Sequence, residues 1–462
     1  MGYRLSLVSA TLVKMSITGT VILCSVAAFA QTAPTNAAAS REKLTLEQCL
    51  DIALKQNMQV LLAAQRVDAS EATLYGAWTN VLPSVNASIL SFSANRFGSN
   101  SDAKPIIRDG VVTLPTGGSS FRYQDGITLN QTIYNGGRSW NAIKRDRSSV
   151  EAAKWDVKTT EQLIINNVKV QYYTLLRAIR LREVTQEQVK LNEEQLRRSE
   201  SMFQIGSVAK VDVLQARANL GQVRITLLNQ DKSVRQSQAT LNNALGEDVN
   251  RLIEVVDPIG DAPLAYTVPP SPADAMKTVE TNNPDVLAKT TAINTARISK
   301  TIAKGTLWPT VTGSLAYSRA GGLLQYVYGH FGQNWNVAAG LNISIPIMNG
   351  TQNWAQIQQA QINLISAEET LEQTRRTTAL TIKRALLDME TTRQVIELSN
   401  ENIVAAEEGL RLAEERYRVG SGTLLDVFNA QLTVAQAKNN LVGARYDYLI
   451  ARANLDQGLG LR

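Results

Sequence analysis

Two hydrophobic periods take turns along the chain. Val311, Gly313, Leu315 and Tyr317 alternate with Thr312, Ser314, Ala316 and Ser318, and Val337, Ala339, Leu341, Ile343, Ile345 and Ile347 alternate with smaller or polar residues. Val85, Ala87 and Ile89 begin a similar run, and Ile127, Leu129 and Ile133 mark another. A two-residue period predicts strands with one apolar face, here at about 84–95, 121–134, 310–320 and 335–347. Each reaches the roughly ten residues that a tilted strand needs to cross a bilayer. Elsewhere the period is helical. From Gly136 to Ile205 it runs unbroken for a predicted length of ~105 Å at about 1.5 Å per residue. A return helix follows from Asp212 to Leu245. Shorter helices are expected at 44–56 and 58–80, with the second ended by Leu82-Pro83, and again from Ala273, broken at Asn283-Pro284. Leu424, Val427, Phe428, Leu432, Ala435, Val442, Tyr446, Leu449 and Ala453 form a narrow stripe, which reads as a coiled-coil seam.

The pattern occurs twice. Met202-Phe203-Gln204-Ile205-Gly206-Ser207-Val208-Ala209-Lys210-Val211-Asp212-Val213 is echoed 214 residues later, where Gly206 maps onto Gly420 and Asp212 onto Asp426. Gly126, Asn135, Gly136 and Trp140 map onto Gly340, Asn349, Gly350 and Trp354 at the same offset, as do Leu245 and Gly246 onto Leu459 and Gly460. One register held over that distance is an internal duplication, which takes precedence over any single-domain reading. Pro83 and Pro309 stand 226 apart, so the first repeat carries about 12 extra residues between its proline and Gly126. The expected organisation is a signal peptide at 1–30, a first repeat at 31–246, a Pro-rich linker at 247–271 and a second repeat at 272–462.

Composition narrows the class. Aromatic residues make up only 6% of the chain and apolar residues 44%, which suits long helices packed through small side chains. The net charge of +6 falls to +4 without Arg4 and Lys14 of the leader, too small a balance to argue for nucleic acid. Residues 1–30 combine those two cations, an apolar run from Ile17 to Ala28 and the small-x-small site Ala28-Phe29-Ala30, the signature of a secretion signal. Beyond Cys24 in the leader only Cys49 remains, so the mature chain forms no internal disulfide. With no other continuously apolar stretch, a membrane would be entered by strands. Four strands cannot close a barrel, and an open edge in lipid leaves backbone groups unsatisfied. Either the sheet is soluble or several chains share one barrel of at least eight strands.

Tyr417-Arg418-Val419-Gly420-Ser421-Gly422-Thr423 with Asp426-Val427, and Ala444-Arg445-Tyr446-Asp447-Tyr448-Leu449, carry a resemblance to a known family. Together with the duplicated strand pairs and Asn-Gly junctions, the chain resembles the TolC family of outer-membrane factors over roughly residues 42–460. The resemblance implies a fold that is mainly α with membrane β, a homotrimer sharing a twelve-stranded barrel, and a periplasmic helical tunnel. It also implies an exit duct for drugs, bile salts, dyes or unfolded polypeptides in the outer membrane of a Gram-negative bacterium. The implied partners are a periplasmic adaptor, an inner-membrane pump or ABC secretion transporter, and outer-membrane lipid. No cofactor and no enzymatic chemistry are implied.

The same resemblance assigns roles at the helix turns. The family's entrance ring of aspartates falls on Asp426 and Asn429, the second an amide here. Tyr417 matches the aromatic member of the network that holds the entrance shut, Asp212 an aspartate of the first turn, and Gly422 stands where the family has an arginine. Gly206, Ser207, Gly420 and Ser421 mark the tips expected to meet the adaptor. Simpler readings accompany these. Thr423 and Asp426 also have the spacing of a helix cap. Glu193-Glu194, Glu368-Glu369, Glu407-Glu408 and Glu414-Glu415 read as solvated helix faces rather than acid–base pairs. His330, the only histidine, sits in an expected outer loop with no metal-site spacing around it. A soluble periplasmic coiled-coil adaptor is the alternative function, but it would not need bilayer-length strands.

Overall fold

The computed structural model describes residues 42–96, 106–108, 111–113, 119–258, 260, 266, 270–329 and 332–461. The expected signal peptide, His330 and part of the Pro-rich linker lie outside the described residues. In chain order the elements are β1 (Glu42–Leu44), α1 (Leu46–Gln56), α2 (Met58–Ala77), β2 (Ser84–Arg96), β3 (Ile106–Arg108), β4 (Val111–Thr113), β5 (Ser119–Asn135), α3 (Arg138–Gln204), α4 (Lys210–Leu245), β6 (Ile253–Val255), α5 (Pro272–Asn282), α6 (Pro284–Lys304), β7 (Thr310–Gly321), α7 (Leu324–Tyr328), β8 (Trp335–Ser344), α8 (Gln352–Arg418) and α9 (Leu424–Leu459).

The duplication is carried into the helices residue for residue. Helices α3 and α8 each have 67 residues, about 100 Å of rise, and α4 and α9 each have 36. Every one of their bounds is displaced by the offset of 214 seen in the sequence. The shorter helices complete the return path through one joint used twice. The Asn57 side-chain amide donates to the Ala244 carbonyl at 3.0 Å, and Asn283 donates to Gly458 at 2.9 Å. The Oδ1 of each asparagine also caps the helix that starts beside it, accepting from Gln59 N–H or from Asp285 and Val286 N–H. Gly246 and Gly460 end α4 and α9 at φ of +82° and +78°. A Cβ on either would lie only 2.6–3.0 Å from the carbonyl of Gln56 or Asn282. The bare backbone is what lets one helix end abut the next.

Four strands form one antiparallel sheet in the order β2-β5-β7-β8. Cross-strand rows run Ala87–Ile127–Tyr317–Val337 and Val85–Leu129–Leu315–Ala339 on one face, with Leu341 and Ile343 following on β8. The other face reads Asn86–Thr128–Ala316–Ala338 and Ser84–Asn130–Ser314–Gly340. The sheet is therefore apolar on one side and polar on the other, and its apolar residues are solvent-exposed in the isolated chain. Strand β8 ends at Ser344, short of the alternation that runs on to Ile347. Its partner β7 begins at Thr310, opposite Ser344, so the residues beyond have no neighbour to pair with.

Short elements without a local signal also appear. Leu44 ends a strand rather than starting a helix, because β1 pairs in parallel with β6, some 200 residues away. The Tyr172 hydroxyl lies 3.2 Å from the Leu44 carbonyl and 2.5 Å from that of Val256, locking this pair onto α3. Beside it, Asp257 accepts from Arg180 and from the Tyr446 hydroxyl at 2.9 and 2.7 Å, fastening the linker to α3 and α9. Burial pushes the Tyr446 phenol upward, reinforced by its bond to Asp257. The main core gathers here around Cys49, Val168, Tyr172, Leu241, Leu245, Val279 and Tyr448. The stripe on α9 is broader than expected, since α3 and α5 pack against it as well as α8. Leu432, counted in the seam, is 67% exposed.

Candidate functional site: the helix-turn tips and the two-faced sheet

Both tips are closed by the same backbone chemistry. Gly206 and Gly420 take φ of +78° and +77°. The N–H of Ser207 reaches Met202 O at 2.8 Å, and that of Ser421 reaches Arg416 O at 2.9 Å. This is a Schellman closure, in which a left-handed residue lets the chain satisfy the last helical carbonyls. All four tip residues, Gly206, Ser207, Gly420 and Ser421, are exposed.

The restart differs between the repeats. Thr423 N–H and Oγ1 both donate to Asp426 Oδ2, at 2.9 and 2.8 Å, and Asp426 N–H donates back to Thr423 Oγ1 at 3.2 Å. This reciprocal cap holds the Asp426 carboxyl below the usual carboxylate range, through the Thr423 backbone and hydroxyl first and the charge of Arg416 after them. The capping role of Asp426 is thus present in the structure, and its side chain remains on the exposed face that it shares with Asn429. Ala209 offers the first repeat no such cap.

One small cluster joins all four long helices at this end. Ala216 of α4, Leu424 and Phe428 of α9, Leu196 of α3 and Tyr417 of α8 pack together. Burial pushes the Tyr417 phenol upward, and the Asp212 carboxylate adds to it. The structure therefore brings Tyr417 and Asp212 into one electrostatic neighbourhood. Gly422 lies under Tyr417: a Cβ there would stand 3.1 Å from Arg416 Cβ and 3.2 Å from Tyr417 N. A long side chain at 422 would shift this turn, and the cation facing Asp426 is Arg416. Pattern reading placed Phe428 in the seam but not against Ala216 of the other repeat, and gave Arg416 no role. Three of the four acidic pairs lie on solvated ion-pairing faces: Glu193 meets Arg224 at 2.7 Å, Glu407 meets Lys438 at 3.1 Å and Glu415 meets Arg418.

Aromatic side chains bracket the apolar side of the sheet. At the helix end Trp78 meets Trp140 edge-on at 6.3 Å between centroids, and Trp308, just before β7, and Trp354, at the start of α8, are exposed. At the far end Phe92 packs on Phe121 and Tyr123 at 5.8 and 5.2 Å. Such girdles are found where strands cross the two membrane interfaces.

An open-edged, two-faced sheet carried on ~100 Å helical hairpins defines a class: a membrane duct whose barrel is continued by a helical conduit. Residues 49–247 and 275–461 match the family described as Outer membrane efflux protein. The outer membrane protein TolC of Escherichia coli K12 is 28% identical over 354 residues, covering 72% of this chain and 68% of that one. TolC of Vibrio cholerae is 22% identical over 416 residues, covering 90% of each. The crystal structure of the Campylobacter jejuni CmeC outer membrane channel has a TM-score of 0.77 at 19% identity, covering 90% of this chain and 85% of that one. The chain belongs to the outer membrane efflux protein family, and is an efflux duct of the outer membrane rather than a soluble adaptor.

Proposed function

We propose that three copies assemble into one duct that takes cargo from an inner-membrane transporter and releases it outside the cell. The observation that carries this is the pair of unpaired edges, β2 and β8, on a sheet with one apolar face. Inside one chain, residues 131–135 of β5 pair with residues 310–313 of β7. Applying the two repeat offsets, residues 345–349 would pair in the same way with residues 84–87 of a neighbouring copy. Ile345, Ile347 and Met348, exposed by 60, 94 and 84%, would become strand. Three such joins give twelve strands, and the polar face then lines the pore.

In this reading residues 1–30 direct secretion, residues 31–246 and 272–462 are the two repeats, and the linker between them girdles the conduit. The tips around Gly206, Ser207, Gly420 and Ser421 meet a periplasmic adaptor. Asp426 and Asn429 ring the entrance, and Tyr417 with Asp212 holds it closed, with no side chain from Gly422 taking part. The chain performs no catalysis, and energy comes from the pump. Cargo is drugs, bile salts and dyes, unfolded polypeptides, or both. The test is a knockout carrying wild type, Asp426→Ala or empty vector, scored for survival in bile salts and dyes and for secreted proteins. Loss of tolerance restored by wild type identifies a multidrug exit; loss of a secreted protein alone identifies a dedicated secretion channel. If the knockout, in a strain without related ducts, changes neither, the export reading fails.

A further inference from the structure

The outer connection between β7 and β8 does not project away from the sheet. It folds back as α7 and lies on the apolar side. By the two-residue period Gly321 shares the face of Tyr317 and Arg319, and a Cβ on Gly321 would lie 2.7 Å from Tyr326 Cβ. Arg319, standing across from Asp125 on one side and Trp335 on the other, is only 3% exposed. Val327 is fully buried against the sheet, and the Tyr328 hydroxyl donates to the Ile89 carbonyl of β2. Helix α7 therefore crosses from β7 over β5 to β2 and roofs the Asp125–Arg319 row. Leu324 and the preceding Leu323 are left exposed, as are parts of the Tyr326 and Tyr328 rings that rest on the sheet.

The position of that row sets what α7 meets. From Val311 to Arg319 there are eight strand steps, about 26 Å of strand and ~20 Å along the normal at a tilt near 40°. The apolar band of outer-membrane barrels is roughly 25 Å tall, so a row ~20 Å above Val311 lies in its outer part. A charge pair on the lipid side at this level is shielded from the acyl chains by the helix above it. Leu323, Leu324 and the exposed parts of the two tyrosine rings continue the apolar face, a composition suited to the boundary between acyl chains and headgroups.

We propose that α7 is an interfacial strap that seats in the outer leaflet of the membrane, contacting lipid through Leu323, Leu324, Tyr326 and Tyr328. This rests on the barrel reading above. The strap sets the depth of the barrel and keeps Arg319 and Asp125 out of lipid.

The test uses the mature chain, from which the leader with Cys24 has been removed, in phospholipid vesicles, with an environment-sensitive fluorophore on Leu324→Cys or, separately, on Leu341→Cys in the middle of the apolar face. Cys49 is fully buried, and unmutated protein checks that it takes no label. Lipid-borne and aqueous quenchers are compared. The expected result is that both sites lose emission to the lipid quencher and resist aqueous iodide. Quenching of Leu341 by lipid with Leu324 open to iodide overturns the strap while leaving the barrel intact. Shielding of Leu324 from both quenchers means that a second copy covers it, and also overturns the strap. Failure of lipid to quench Leu341 removes the barrel reading itself, and the strap with it.

Discussion

Replacing Gly136 or Gly350 by alanine separates what one chain holds from what three chains hold. The two glycines are equivalent in the repeats and share left-handed backbone, at φ of +68° and +60°. Their surroundings differ. A Cβ on Gly136 would lie 2.4 Å from the Gly305 carbonyl and 2.8 Å from Trp308 Cβ, whereas one on Gly350 meets nothing within 4 Å in the chain. The left-handed conformation costs an alanine about 1–2 kcal/mol, and forcing a methyl into a packed contact adds about 1–3 kcal/mol. Gly136→Ala is therefore expected to destabilise the single chain by ~2–5 kcal/mol, and Gly350→Ala by only ~1–2 kcal/mol. In the proposed trimer, the places of Gly305 and Trp308 are taken by Thr79 and Leu82 of the neighbouring copy. Gly350→Ala then meets the same obstruction at three interfaces. Sedimentation in detergent reads the trimer fraction, and circular dichroism of the same samples reads helix content. The expected outcome is a Gly350→Ala chain with wild-type helicity that assembles poorly. A Gly350→Ala trimer as stable as wild type, beside a destabilised Gly136→Ala, would refute the transfer of the internal interface to the subunit boundary.

Asn57→Ala and Asn283→Ala each remove a helix cap and a buried side-chain bond, together about 2–3 kcal/mol; two similar drops in thermal midpoint are expected, and a drop in only one would mean the joints are not equivalent. Leu341→Lys places a charge on the apolar face and should cost insertion about 2–4 kcal/mol, read as a lowered denaturation midpoint in vesicles, whereas the polar-face change Gln124→Lys should not. At the tip, Thr423→Ala should loosen the start of α9 by about 1 kcal/mol, seen as faster amide exchange over the first turn. Because the folded-state pKa of Asp426 is depressed, its capping contribution is complete above the ordinary carboxylate range and is lost as pH falls through the lowered value. Acid should therefore lower the amide protection factors, exchange taken relative to the intrinsic rate at each pH, at the α9 start in wild type and change them little in Asp426→Asn.

What the sequence determined by itself was everything written in short-range periodicity and turn chemistry. The 214-residue offset returned as identical helix lengths because helix propensity and the glycine C-caps act within a few residues of one another. The apolar and polar faces of the sheet were legible for the same reason, since a two-residue period needs no knowledge of the partner strand. The tertiary structure decided what depends on distant segments meeting. Leu44 became strand because Ile253–Val255 lay beside it, and β8 stopped at Ser344 because its continuation has no partner within the chain. Phe428 met Ala216 and Leu196 of the other repeat only once the four long helices converged, and α7 lies over a buried Arg319 that no local pattern marks. Backbone pairing and side-chain burial are properties of juxtaposition, and juxtaposition is settled by the whole chain.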